Sequence, residues 1–160
     1  MPNADTLLSR RQLLIGTAAL ALLGPPLAAC GESVSQTTLQ MLAGQVDRAR
    51  ADSELAAEAA RTAPPVQAQG LAVVASIRAA HAKALSDELR RSGGRTPAAP
   101  ATATPSPGGP TANLRDVLAA LQQSIDSATK AANSESGYRA GLLASVAAAC
   151  TAVCTVTLSA

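Results

Sequence analysis

Phenylalanine and tryptophan are absent from this chain of 160 residues, and tyrosine occurs once, at Tyr138. Any core must therefore be built from alanine, leucine, valine and isoleucine, which makes it thin and close-packed. Strand signals are nearly missing too. Short β-branched runs occur only near Leu71–Ile77 and Val153–Leu158, and the first lies inside a helical pattern. Alanine has the highest helix propensity, and small side chains let helices approach closely, so the composition points to an all-α fold. A strong charge of either sign is also lacking, with a formal net charge of +2. No basic patch remains for nucleic acid, which is excluded as a partner.

Histidine is as scarce as tyrosine, with His81 alone. A di-metal carboxylate centre in a helical bundle needs two Glu-x-x-His elements with further glutamates. The residue three before His81 is Arg78, so that oxidase chemistry is excluded. A Ser–His–Asp arrangement and a phosphate-cradling loop cannot be assembled either. The sequence thus predicts no enzyme activity, no catalytic residue, no metal and no cofactor.

What the chain does have is a marked N-terminus. Arg10 and Arg11 close a polar leader, and Leu13–Leu27 follows, apolar except for Thr17 and interrupted by Gly24-Pro25-Pro26. A membrane-spanning helix needs about 20 continuous apolar residues, and the proline pair breaks this one too early. The pattern predicts a signal peptide over residues 1–29. Ser9-Arg10-Arg11-Gln12-Leu13-Leu14 resembles a twin-arginine export signal, although Leu13 and Ile15 replace the frequent phenylalanine and lysine. Leu27-Ala28-Ala29-Cys30 resembles a bacterial lipobox, in which the cysteine thiol receives the lipid. On this reading Cys30 is the lipid attachment residue. The mature protein begins there and is held on the outer face of the cell membrane by its acyl chains. Removing the leader leaves 11 basic and 10 acidic side chains, a nearly neutral protein.

Residues 30–160 read as one helical domain divided by a Pro/Gly-rich linker at 93–110. Leu39, Leu42, Val46, Ala49 and Ala56 follow helical spacing, Thr37 and Gln40 have a capping-box pattern, and Pro64-Pro65 stops the helix. A second helix is predicted from about Val66 to Arg91, with Val74, Ile77, His81, Leu85, Glu88 and Leu89 on one side. In the second half Leu114, Val117, Leu118, Leu121, Ile125 and Ala128 form a stripe after a cap at Thr111 or Asn113. The pattern breaks at Asn133–Gly137, and Tyr138, Leu142, Val146, Ala149 and Val153 align on a fourth helix. Two hairpins joined by a long connection predict a four-helix bundle, with the connection either crossing it, as in ferritin-like folds, or lying outside. Ala140–Ala160 carries no charge. Its small residues favour a central helix buried on most sides over a transmembrane end.

His81 and Glu88 share the predicted inner face of the second helix. They are about 10.5 Å apart along it, too far to bind one ion without partners such as Glu54, Glu58, Asp116 or Asp126. The simpler expectation is a half-buried histidine bonded to a neighbouring helix and a Glu88 paired to an arginine. Arg50 with Glu54, and Glu58 with Arg61, have the spacing of surface ion pairs. Cys150 and Cys154, four apart, are expected as two buried thiols rather than a disulfide.

The stretches "YRAGLLASVAAAC", Tyr138–Cys150, and "RAAHAKALSDELR", Arg78–Arg90, together with the lipobox leader, resemble a family of alanine-rich exported lipoproteins of actinobacteria. That resemblance implies an envelope location and a bundle similar to ferritin-like ones, and it supplies no catalytic residue. The function expected is a surface-anchored binding or interaction module, its partner an envelope protein or a small apolar ligand, with His81, Glu88 and Tyr138 as candidate contacts. The alternative is a ferritin-like, metal- or redox-linked accessory protein using His81 and carboxylates.

Overall fold

The computed structural model describes residues 33–98 and 112–157. Arg10, Arg11, Leu27, Ala28, Ala29 and Cys30, and most of the linker, lie outside the described residues. Four helices follow one another: α1 (Gln36–Thr62), α2 (Pro65–Arg91), α3 (Leu114–Ser134) and α4 (Gly137–Ala152), the last running into a π-helical turn at Val153–Thr157. The described chain is all-helical, a four-helix bundle packed as two pairs.

The helix boundaries follow from local chemistry. Ser35 caps α1 by accepting the Thr38 amide at 3.1 Å, so the cap lies two residues before the expected Thr37. Ala63 and Pro64 are extended, because a residue preceding proline is pushed out of the helical region, and Pro65 then opens α2 at a position where its missing N–H is harmless. Gly93, with φ +85°, ends α2 in a conformation that favours glycine. A Cβ on Gly94 would lie 2.3 Å from Leu89 Cδ1, so any side chain there would have to displace the core residue Leu89 as the chain leaves the helix. Of the two candidate caps for α3, Asn113 is the one used, in a reciprocal capping box with Asp116.

Hydrogen bonds between helices fix the topology. On α1 and α3, Thr38 bonds Glu135, Gln45 bonds Ser127 and Asp52 bonds Ser124, an antiparallel order. On α2 and α4, Arg91 bonds Tyr138 and Arg78 bonds Cys150, again antiparallel. Each helix therefore neighbours two antiparallel partners, in the order α1, α2, α4, α3 around the bundle. Consequently α2 ends beside the start of α4, whereas α3 begins beside Gln67 at the start of α2. The end of α2 and the start of α3 lie at opposite ends of the bundle. The described part of the connection already climbs the bundle, since Arg50 Nη1, midway along α1, donates to the Pro97 carbonyl at 2.7 Å.

The core joins Leu42, Val46, Leu71, Leu85, Leu89, Val117, Leu121, Leu143 and Val146, with alanines between them. Two predicted stripes are displaced. On α2 the inner face runs Leu71, Val74, Arg78, Ala82, Leu85 and Leu89, leaving Ile77 and His81 half-buried. On α4 it runs Leu143, Val146, Ala147, Cys150 and Val153, while Leu142 and Ala149 sit at the margin and Tyr138 is exposed.

The expectation that the uncharged tail is buried on most sides is also corrected. Gly137–Thr155, with a mean hydropathy of 1.3, is the one helix among the described residues long and apolar enough to cross a membrane. Only 28% of that window is buried within the bundle. Its outward residues are mostly glycine, alanine, serine and threonine, whose exposure costs little apolar surface.

Candidate functional site

The stripes of all four helices are interrupted at one level. Asp52 of α1, Arg78 of α2, Ser124 of α3 and Cys150 of α4 are buried and meet there. Arg78 is 1% exposed. Its Nε and Nη2 lie 3.0 and 2.8 Å from Asp52 Oδ2, and Nη2 donates to Ser124 Oγ at 3.1 Å. The Ser124 hydroxyl in turn donates to Asp52 Oδ2 at 2.5 Å. The remaining guanidinium nitrogen, Nη1, reaches Cys150 Sγ at 3.4 Å and His81 Nδ1 at 3.1 Å. One buried cation thus gathers an acid, a hydroxyl, a thiol and an imidazole from four helices.

The electrostatics follow from that crowding. Burial, and then the adjacent Arg78 cation, push His81 down from 6.5 to about 4. The ring is therefore neutral near pH 7, and its Nδ1 accepts from the guanidinium. Burial pushes the Cys150 thiol up despite the opposing pull of Arg78, so it stays protonated and is a poor nucleophile. Burial raises Cys154 as well. The two cysteines are not bridged, as expected, but only Cys150 is fully buried; Cys154 is half-buried.

The other predicted residues are dispersed. Glu88 is buried at the far end of α2, where Arg91 Nη2 lies 2.9 Å from its Oε2 and the Ser92 hydroxyl donates to it. Tyr138 is 63% exposed, with Arg91 over its ring at 5.1 Å and bonding its hydroxyl at 3.3 Å. The bond to Tyr138 is the main reason the Arg91 guanidinium is held above its ordinary range. Glu58 pairs with Arg61 as predicted. Arg50 instead faces Asp47 at 3.9 Å and the Pro97 carbonyl, leaving Glu54 out of its reach. Asp116 serves the α3 cap and Asp126 accepts from Gln122. His81 and Glu88 are thus not brought together with those carboxylates. Among the described residues no group of three metal-ligating side chains converges.

The hub residues Asp52, Arg78 and Ser124 were not anticipated from the sequence. The signal was present as a polar residue at an inward position of three apolar stripes: Asp52 between Ala49 and Ala56, Arg78 between Val74 and Ala82, and Ser124 between Leu121 and Ala128.

An all-α four-helix bundle pinned by a buried ionic hub is the class that the fold and site define. Compared with protein-family models, with curated proteins and with solved structures, the chain matches none of them.

Proposed function

We propose that this chain is an exported lipoprotein of the bacterial cell envelope, anchored through Cys30, that acts as an interaction module and not as an enzyme. The leader supports export: Arg10-Arg11 before an apolar stretch, and Leu27-Ala28-Ala29 before Cys30. The observation that carries the interaction reading is the outer face of α4. Gly141, Ala144, Ser145, Ala148, Thr151 and Ala152 are exposed and repeat at helical spacing, with no charge from Ala140 onward. Small side chains on such a face let a partner helix approach closely. Tyr138, exposed at its start, adds an aromatic anchor of the kind enriched at interfaces.

A protein partner suits this surface better than an apolar ligand held between the helices. The axis of the bundle is occupied at its middle by Arg78 and Asp52, whose charges are poor neighbours for an apolar molecule. The four-helix topology, with α2 and α3 parallel and joined by one long connection, is compatible with a ferritin-like ancestry of the shape. His81 lends no support to a metal-linked role, because its Nδ1 faces a guanidinium.

Two substitutions test the reading in the producing cell. Cys30→Ser should move the protein from the membrane to the soluble fraction and block its maturation; a variant that stays membrane-bound at the processed size refutes anchoring. A photo-crosslinking residue in place of Ala148 should trap one discrete envelope protein, with the melting temperature unchanged. Equal trapping from an exposed position on α1, such as Ala57, would refute a specific contact surface.

A further inference from the structure

A second feature lies apart from both the hub and the α4 face. Along α1 and α2 runs a groove of about 550 Å³, within the range of small-molecule sites. Ala79 and Ala82 keep it open, and Thr96 of the chain leaving α2 helps to line it.

Two hydroxyls in this groove lack protein partners. Ser86 is 6% exposed, lines the groove and makes no side-chain hydrogen bond within the described residues. Thr96 Oγ1 is buried and has none either. Buried hydroxyls in folded proteins are paired in the large majority of cases. Thr96 Oγ1 is closed off behind the groove wall, whereas Ser86, lining the groove with no partner in the described chain, is open to an acceptor atom from outside it.

The charges say what those acceptors are. Arg50, Lys83 and Arg90 all line the groove, against the carboxylates Glu54 and Asp87, an excess of one positive charge. Asp87 is already held by Lys83 at 2.9 Å and Arg90 at 2.6 Å, which keep its carboxyl below the usual range. Arg50 commits Nη1 to the Pro97 carbonyl and has further N–H groups to offer. Hydroxyl donors beside a guanidinium suit an oxyanion. Glu54 has no ion-pair partner among the described residues and can accept a hydroxyl from the same molecule.

We propose that the α1/α2 groove is a binding site for a small hydroxylated organic anion, whose carboxylate or phosphate oxygens take donors from Ser86 and Arg50. This goes beyond the interaction reading and does not depend on it, since the groove and the outer face of α4 share no residue.

The test is a ¹⁵N chemical-shift titration of the full chain with glycerol 3-phosphate and, separately, with glycerate, against sodium chloride at matched ionic strength. Saturable shifts centred on Ser86 and Arg50 are expected with at least one probe. A response to glycerol 3-phosphate alone assigns phosphate chemistry, and one to glycerate alone assigns carboxylate chemistry. Arg50→Gln should raise the midpoint at least tenfold, and Ser86→Ala several-fold, with melting temperatures like that of the parent chain. Ser86→Ala keeps the test decisive if Arg50→Gln disturbs the segment at Pro97. No saturable shift with either probe, or midpoints unchanged in Ser86→Ala, would overturn the proposal and leave the Ser86 hydroxyl to water.

Discussion

His81 shows how much a single neighbour decides. A histidine on an exposed helix titrates near 6.5, but here burial and the Arg78 guanidinium at 3.1 Å both disfavour a second positive charge, and the value falls to about 4. Between these two values the unfolded chain binds a proton at this position and the folded chain does not. Stability from this residue therefore declines as pH falls from above 6.5 to about 4, and rises again with pH through the same window. Melting temperatures recorded from pH 7.5 to 4 should drop, and His81→Gln should flatten the part of that slope due to His81. An unchanged slope would mean that His81 is not held neutral in the folded chain. The sequence showed a lone histidine among apolar neighbours, which foretold a half-buried ring bonded to something. It did not identify Arg78 as that partner, because an arginine three residues away reads as a surface residue until its helix is rotated by one position.

Among the elements, the hub couples what hydrophobic periodicity treats as four independent stripes. Among the described residues, Arg78 is the one side chain whose polar contacts reach α1, α3 and α4 together, through Asp52, Ser124 and Cys150. Removing one partner of a buried ion pair leaves the other charge desolvated and unpaired, a loss of roughly 3–5 kcal/mol. Arg78→Met should therefore destabilise the bundle by about that amount in urea denaturation. The double variant Arg78→Met with Asp52→Leu should recover much of the loss, since neither charge then remains buried. A double variant as unstable as the sum of the two single ones would show that the pair acts independently and that the hub is not a unit. The helices themselves were legible beforehand. Proline at 64 and 65, glycine at 93 and the Asn113 cap act within a few residues, so their effects can be read locally. The faces of α2 and α4 were not, because in alanine-rich helices two adjacent faces are nearly equally apolar and tertiary contacts choose between them.

For the whole molecule, the opposite placement of the end of α2 and the start of α3 makes connection length a structural requirement. From the level of Arg50 to the end of α1 is about 18 Å at 1.5 Å per residue, and the chain must also pass across a helix spacing of about 10 Å. Deleting residues 99–108 would leave Ala98 about 17 Å of reach to Asn113. That deletion should abolish the native fold or force two chains to exchange hairpins, as read by circular dichroism and light scattering on a sizing column. Replacing the same ten residues by a Gly/Ser chain of equal length should leave both measurements unchanged. If the deletion variant kept its parent mass and melting temperature, the ends of α2 and α3 would have to lie together.

Composition and short-range pattern determined the class of fold: abundant alanine, scarce aromatics and four amphipathic stretches separated by Pro, Gly and Asn signals leave an all-α bundle as the solution. The same local reading gave the approximate helix limits and the expectation of unbridged cysteines. The tertiary structure decided the rest. It set the order of helices around the axis, drew Arg78 inward in place of His81, left α4 exposed on one face and placed Ser86 and Thr96 along one groove. The reason is distance along the chain. Caps and stripes depend on residues three or four apart, whereas the hub joins Arg78 to partners 26, 46 and 72 positions away, and such contacts form only when whole helices have found their neighbours.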